Sequence, residues 1–148
     1  MKQTKIEQLC ESARKIDHVY EVWATAHGLT SCEMQIYYVI MKKEKAVITQ
    51  KELCMELDAP KTSINSIIKK QLNAGYIEMH PNPENRREKM ISLTESGCRF
   101  AEDLVFPLSR YEEEAAEMLD EKEIEAVVTV QNRFAELLLE KIKTNRRR

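Results

Sequence analysis

Through most of the chain, apolar residues recur with the three-to-four spacing of a helix, and in one stretch with the alternation of a strand. From about residue 4 to 27 the apolar positions are Ile6, Leu9, Ala13, Ile16, Tyr20 and Trp23, with His27 next in line. Their spacing alternates between three and four, the seam of a coiled coil. So long a helix in a small domain extends past its own core, which points to a partner helix. Residues 30–43 carry Ile36, Tyr37, Val39 and Ile40 without a wide polar face and read as buried scaffold. Residues 49–58 and 60–74 read as two short helices joined by Asp58-Ala59-Pro60, with the second starting at the proline. Ile64, Ile67, Ile68 and Leu72 form its buried stripe.

After Gly75 the period changes to two. Ile77 and Met79 alternate with Glu78 and His80, and Ile91 and Leu93 with Met90 and Ser92. The turn-rich residues 81–88 between them predict a long β-hairpin with Arg86 and Arg87 near its tip. Thr94-Glu95-Ser96-Gly97 restarts a helix that reaches about residue 117 and is expected to bend at Pro107, where a ladder hydrogen bond is lost. A last helix over about 121–143 carries Ile124, Val127, Gln131, Phe134, Leu138 and Ile142, again near heptad spacing. The helix starts are marked by Thr30 with Glu33, Thr49 with Glu52 and Asp120 with Glu123, each a capping box or its Asp variant. Gly28 and Gly75 are placed to end helices in the left-handed conformation.

Composition narrows the fold class. Only 3 of 148 residues are glycine, and they are too dispersed for a phosphate-binding glycine loop or for the many tight turns of a sandwich or barrel. The size suits one domain. The expected architecture is mostly α with a small β-hairpin wing: a winged helix-turn-helix over about 30–97, flanked by dimerisation helices over about 1–28 and 98–148, all within a single domain, 1–148. Cys10, Cys32, Cys54 and Cys98 include no C-x-x-C pair and read as free thiols. Lys2, Lys5, Glu7 and Glu11 interrupt the start before any signal-like apolar run, and the longest clean apolar run, 36–41, is far short of the ~20 residues that span a bilayer. A cytoplasmic protein without a membrane segment is expected. His18, His27 and His80 fall in no metal-binding spacing, so neither a metal nor a cofactor is expected. No nucleophile–base pair or paired-carboxylate motif stands out, and the chain reads as a non-enzyme.

Net charge, −2, argues against nucleic acid only until it is divided along the chain. Residues 60–93 hold Lys61, Lys69, Lys70, Arg86, Arg87 and Lys89 against Glu78, Glu84 and Glu88, whereas residues 94–143 are strongly acidic. Phosphate attraction is local, being screened beyond about 10 Å, so the basic middle decides. On the second short helix, Lys61, Thr62, Ser63, Asn65, Ser66, Lys69 and Lys70 are candidate DNA contacts, and Arg86, Arg87 and Lys89 supply the wing. A helix of that composition can meet base edges in the major groove while arginine enters the minor groove. The terminal Arg146-Arg147-Arg148 reads as a solvated tail. The competing reading is a winged-helix protein-interaction module; a lack of acidic and exposed aromatic side chains over 61–70 favours nucleic acid.

The stretch from Thr49 to Gly97 resembles the MarR-type transcriptional regulators, above all in Gly75-Tyr76-Ile77, Asn85-Arg86-Arg87 and Ile91-Ser92-Leu93-Thr94-Glu95-Ser96-Gly97. Asn85 stands where that family often has Asp, and Gln71 where it usually has Leu. The resemblance implies a homodimer built from the terminal helices, here through Ile6, Leu9, Ala13, Ile16 and Tyr20 with Ile124, Val127, Phe134, Leu138 and Ile142. It further implies binding to a pseudo-palindromic double-stranded operator, and repression relieved by a small-molecule effector or an oxidant. Cys10 adjoins the apolar seam and reads as packing rather than a redox sensor. Tyr20, Trp23, Tyr37 and Tyr38 read as core rather than as an effector pocket.

Overall fold

A computed structural model describes residues 3–43 and 46–145; the arginine tail lies outside them. The element order is α1 (Lys5–Ala26), α2 (Ser31–Met41), β1 (Val47–Thr49), α3 (Gln50–Glu56), α4 (Lys61–Asn73), β2 (Ile77–Pro81), β3 (Lys89–Leu93), α5 (Glu95–Ala116) and α6 (Glu121–Asn145). The chain divides into two compact units, residues 15–109 and residues 1–14 with 110–148.

The first unit holds the core. Ile36, Tyr37 and Ile40 of α2 meet Leu53 of α3, Ile64 and Ile68 of α4, Ile77, Ile91 and Leu93 of the sheet, and Ala101, Leu104 and Val105 of α5. The Phe100 ring stacks on Tyr76 at 4.7 Å and meets Tyr37 edge-on at 5.3 Å. Both threonine capping boxes form: Thr30 and Thr49 each accept from the N–H three residues on, while Glu33 and Glu52 reach back to the cap. Asp120 accepts from the N–H groups of Lys122 and Glu123. Gly28 and Gly75 take φ of +71° and +76°, where a Cβ would be strained. Pro60 caps α4 one position before its first turn, and α5 continues through Pro107.

The sheet departs from the expected hairpin. Its order is β1-β3-β2, antiparallel throughout, with Val47 opposite Ser92, Ile48 opposite Ile91 and Thr49 opposite Met90. Three residues are too few to show alternation, so β1 left no readable signal in the sequence. Thr49 both ends β1 and caps α3, which ties that helix to the sheet. A second departure concerns α4. Gln71 is buried while Leu72 is only partly so, because the Tyr37 hydroxyl donates to the Gln71 amide oxygen at 2.5 Å.

The Leu-Thr-x-x-Gly string joins sheet to helix. The Thr94 hydroxyl donates to the Gly75 carbonyl at 2.6 Å and accepts from the Gly97 N–H at 3.0 Å. A Cβ on Gly97 would lie 1.8 Å from the Tyr76 carbonyl oxygen, so only glycine permits this seat.

The second unit has no buried residue among those described. On α6, Val127, Val128, Val130, Leu137, Leu138, Leu139 and Ile142 all stand exposed, as do Met118 and Leu119 before it.

Gly97→Ala should destabilise the fold by about 3 kcal/mol or more, because a rigid backbone oxygen must move. A urea titration with a midpoint equal to wild type would show that the turn at Tyr76 yields freely.

Candidate nucleic-acid interface

The α3–turn–α4 segment turns on Asp58, whose φ of +45° lies in the left-handed region that Asp tolerates. The Ala59 N–H returns to the Cys54 carbonyl at 3.1 Å and closes the end of α3. Pro60 gives α4 no side-chain cap, and no acidic residue occupies its first turn, so the leading N–H groups of α4 suit a phosphate. The Gln50 side-chain amide donates to Asn65 Oδ1, fastening the first turn of α3 to the middle of α4.

The wing is a structured loop. Asn82 N–H donates to the Glu88 carbonyl at 3.1 Å, and Glu88 N–H donates to the Asn85 carbonyl at 2.9 Å. Asn85 Oδ1 accepts from the Arg87 N–H at 3.2 Å, so the asparagine side chain shapes the turn without adding a carboxylate beside the arginines.

These elements converge on one cleft of about 750 Å³. Lys61, Asn65 and Lys69 line it from α4, Arg87, Glu88 and Lys89 from the wing, and Gln50 and Lys51 from α3, above an apolar floor that includes Ile68 and Leu72. Residues 61, 65 and 69 are four apart and so share one edge of the helix. The sequence reading missed Gln50 and Lys51. Their signal was their place in the first turn of a capped helix, which the strand β1 carries to the wing.

The remaining candidates lie elsewhere. Thr62, Ser63 and Ser66 stand exposed on α4 outside the cleft, and Arg86 is exposed on the wing. Lys70 is also outside: its ammonium sits 2.6 Å from Glu33 Oε1, whose side chain is nearly buried at the start of α2. Glu33 Oε2 accepts from the Thr30 N–H at 2.7 Å. Burial alone would raise the Glu33 pKa, but the hydrogen bonds from Lys70 and Thr30, with the charge of Lys70, outweigh it and hold the carboxyl below its ordinary value.

Of the seam residues, Ile6, Ile16, Ile124, Val127, Leu138 and Ile142 are exposed, while Leu9, Ala13 and Phe134 are half-buried. Tyr20 is also half-buried and packs against the core of its own chain. Val19 and Val22 add further exposed apolar surface on α1. Among the described residues no cluster of His, Cys, Asp or Glu is arranged to hold a metal, and no helix is long and apolar enough to cross a membrane.

Residues 29–97, the span from the α1–α2 turn to the seat of Gly97, match the family described as the winged helix DNA-binding domain. The chain is similar in structure to the MarR family regulator NMB1585 of Neisseria meningitidis, with a TM-score of 0.80, covering 97% of this chain and 99% of that one at 21% identity. The chain has the winged-helix fold. The same fold also matches Staphylococcus aureus MepR in its complex with DNA, with a TM-score of 0.71 and 15% identity over 93% of this chain and 99% of that one. By sequence, the chain is 28% identical over 105 residues to the HTH-type transcriptional regulator PapX of Escherichia coli, across 70% of this chain and 64% of that relative.

Stability in acid should follow Glu33. A carboxyl whose folded pKa is depressed contributes fully above its ordinary value of 4.5, and the contribution is lost as pH falls through the lower folded value. Urea midpoints measured from neutral pH downward should therefore decline below that point, and Glu33→Gln should flatten part of the decline. Superimposable acid profiles would remove Glu33 from the account.

Proposed function

We propose that this chain is a sequence-specific, double-stranded-DNA-binding transcriptional regulator that works as a homodimer. The observation that carries the reading is the single cleft in which Lys61, Asn65 and Lys69 of one helix face Arg87 and Lys89 of the wing. The α4 helix would lie in a major groove about 12 Å wide, with Asn65, Thr62 and Ser66 available to base edges, while Lys61, Ser63, Lys69, Lys89 and Lys51 meet phosphates. Arg86 and Arg87 would enter the adjoining minor groove, where negative potential is concentrated. The MepR complex with DNA and the regulator PapX, as relatives of this fold and sequence, support the assignment.

The dimer reading rests on area left uncovered. An amphipathic helix gains its stability mainly by packing its apolar face, yet α6 buries no residue within the chain. A second copy would cover Ile124, Val127, Leu138 and Ile142, together with Ile6, Leu9, Ala13, Ile16 and Phe134. Two-fold symmetry would then place two α4 helices about one duplex turn, ~34 Å, apart on a pseudo-palindromic site. The resemblance to MarR-type regulators supports repression relieved by a small molecule, and a cytoplasmic location follows from such a role. Nothing in this reading requires an enzymatic step.

Fluorescence anisotropy with genomic duplex fragments at a series of salt concentrations tests it. Affinity should fall steeply with salt, and Lys69→Gln or Lys61→Gln should each reduce the logarithmic slope by about 1.8, one phosphate contact in each protomer of the dimer. Binding insensitive to salt on every fragment would favour a protein-interaction module instead. For assembly, wild type should sediment as a dimer at micromolar concentration, and Val127→Glu with Leu138→Glu should yield monomers with at least tenfold weaker duplex binding. A monomeric wild type would refute the dimer.

A further inference from the structure

The polar contacts between α2 and α4 lie outside the cleft, and the DNA-binding reading does not use them. The Tyr37 hydroxyl donates to Gln71 Oε1 at 2.5 Å, with both side chains buried, and the Lys70 ammonium meets Glu33 Oε1 at 2.6 Å. Glu33 and Tyr37 are four residues apart and share one face of α2. Lys70 and Gln71 are consecutive, about 100° apart around α4. One face of α2 therefore grips α4 at two angular positions.

We infer that Glu33 and Tyr37 form a two-point polar latch on Lys70 and Gln71 that fixes the rotation of α4 about its own axis, so that Lys70 positions the DNA-reading helix rather than contacting phosphate. This rests on the DNA-binding reading of the cleft. Apart from the Gln50–Asn65 bond to α3, which holds the cleft-side edge of α4 at one point, the rest of its packing is aliphatic, through Ile64 and Ile68. Aliphatic contact is non-directional and tolerates a small roll, whereas a hydrogen bond weakens steeply as its angle opens. Side-chain tips stand about 5–6 Å from a helix axis, so a roll of roughly 20° would move the Lys61, Asn65 and Lys69 edge by about 2 Å. That shift is enough to lose a direct hydrogen bond to a base edge.

The charge balance agrees. Although the Lys70 side chain is 60% exposed, its ammonium is committed to a carboxylate that is itself 4% exposed. At the distance of a phosphate on the cleft side, the paired charges largely cancel. Glu33 is held on its other oxygen by the Thr30 N–H, so the anchoring end of the latch belongs to the capped start of α2.

The test uses the full chain and two probes: a duplex enriched by the wild type from a random-sequence pool, and an unselected duplex of equal length. Lys70→Gln should weaken binding to the enriched duplex about a hundredfold, about tenfold for the one hydrogen bond lost at each half-site of the dimer. It should leave unselected binding within about twofold and the salt slope on both probes unchanged, because non-specific binding depends on phosphate contacts alone. Lys70→Arg, which can restore the pair, should recover most of the loss. The double variant Tyr37→Phe with Gln71→Leu keeps the core filled and should lower the enriched-to-unselected ratio in the same way; it also serves if Lys70→Gln does not fold. A slope reduced by about 1.8 in Lys70→Gln, one contact in each protomer, would make Lys70 a phosphate contact and overturn the latch. So would an unchanged ratio in the double variant. If the wild type enriches no duplex, the DNA-binding reading itself falls, and the latch falls with it.

Discussion

Antiparallel pairing of β1 with β3, with Ile48 facing Ile91 in the core, is the contact on which the cationic cleft depends. The cleft takes its side chains from three separate elements, and nothing local obliges α3 to lie beside the wing. Thr49 supplies the obligation. Its backbone belongs to the ladder and its hydroxyl opens α3, so the first turn of that helix, with Gln50 and Lys51, begins where the sheet ends. The bond from Gln50 to Asn65 then carries the registration on to α4. At the opposite end, Thr94 and Gly97 fasten the sheet to α5 against the Tyr76 carbonyl. Each junction uses a directional hydrogen bond or a close approach, which dispersion in the core could not specify.

A chain with net charge −2 thus presents a cationic surface, and it does so by partition rather than by excess. Two acidic side chains of the first unit are occupied within the fold. Glu33 is paired with Lys70 and bonded to Thr30, and Glu52 is bonded to Thr49, whose hydrogen bonds hold its carboxyl below the ordinary value. Among the described residues, Glu88 is the only carboxylate lining the cleft, and its backbone closes the wing with Asn82 and Asn85. The lysines of α4 are correspondingly unlike one another: two line the cleft and one is bound to α2.

The sequence made the α elements legible because the signals are local. Threonine with glutamate three residues on marked the starts of α2 and α3, and Gly28 and Gly75 marked turns with positive φ. The hairpin was legible from alternation. β1 was not, since Val47, Ile48 and Thr49 owe their strand conformation to a partner more than forty residues away. Gln71 shows the same limit. A polar residue on the edge of an apolar stripe reads as a boundary, and only the Tyr37 hydroxyl opposite makes it a core residue. Lys61, Asn65, Lys69, Arg87 and Lys89 were legible from charge, polarity and spacing, and they line one cleft. Lys70 was grouped with them because charge is visible in a sequence and its partner is not.

By itself, then, the amino-acid order determined the helices, the wing, the basic character of residues 60–93 and the winged-helix plan, because caps, periodicity and glycine placement act over a few residues. Tertiary structure alone decided which cations converge, which one is spent on Glu33, and why Gly97 admits no side chain. Those outcomes depend on groups distant in the chain meeting within hydrogen-bonding or van der Waals distance, and no local pattern encodes such a meeting.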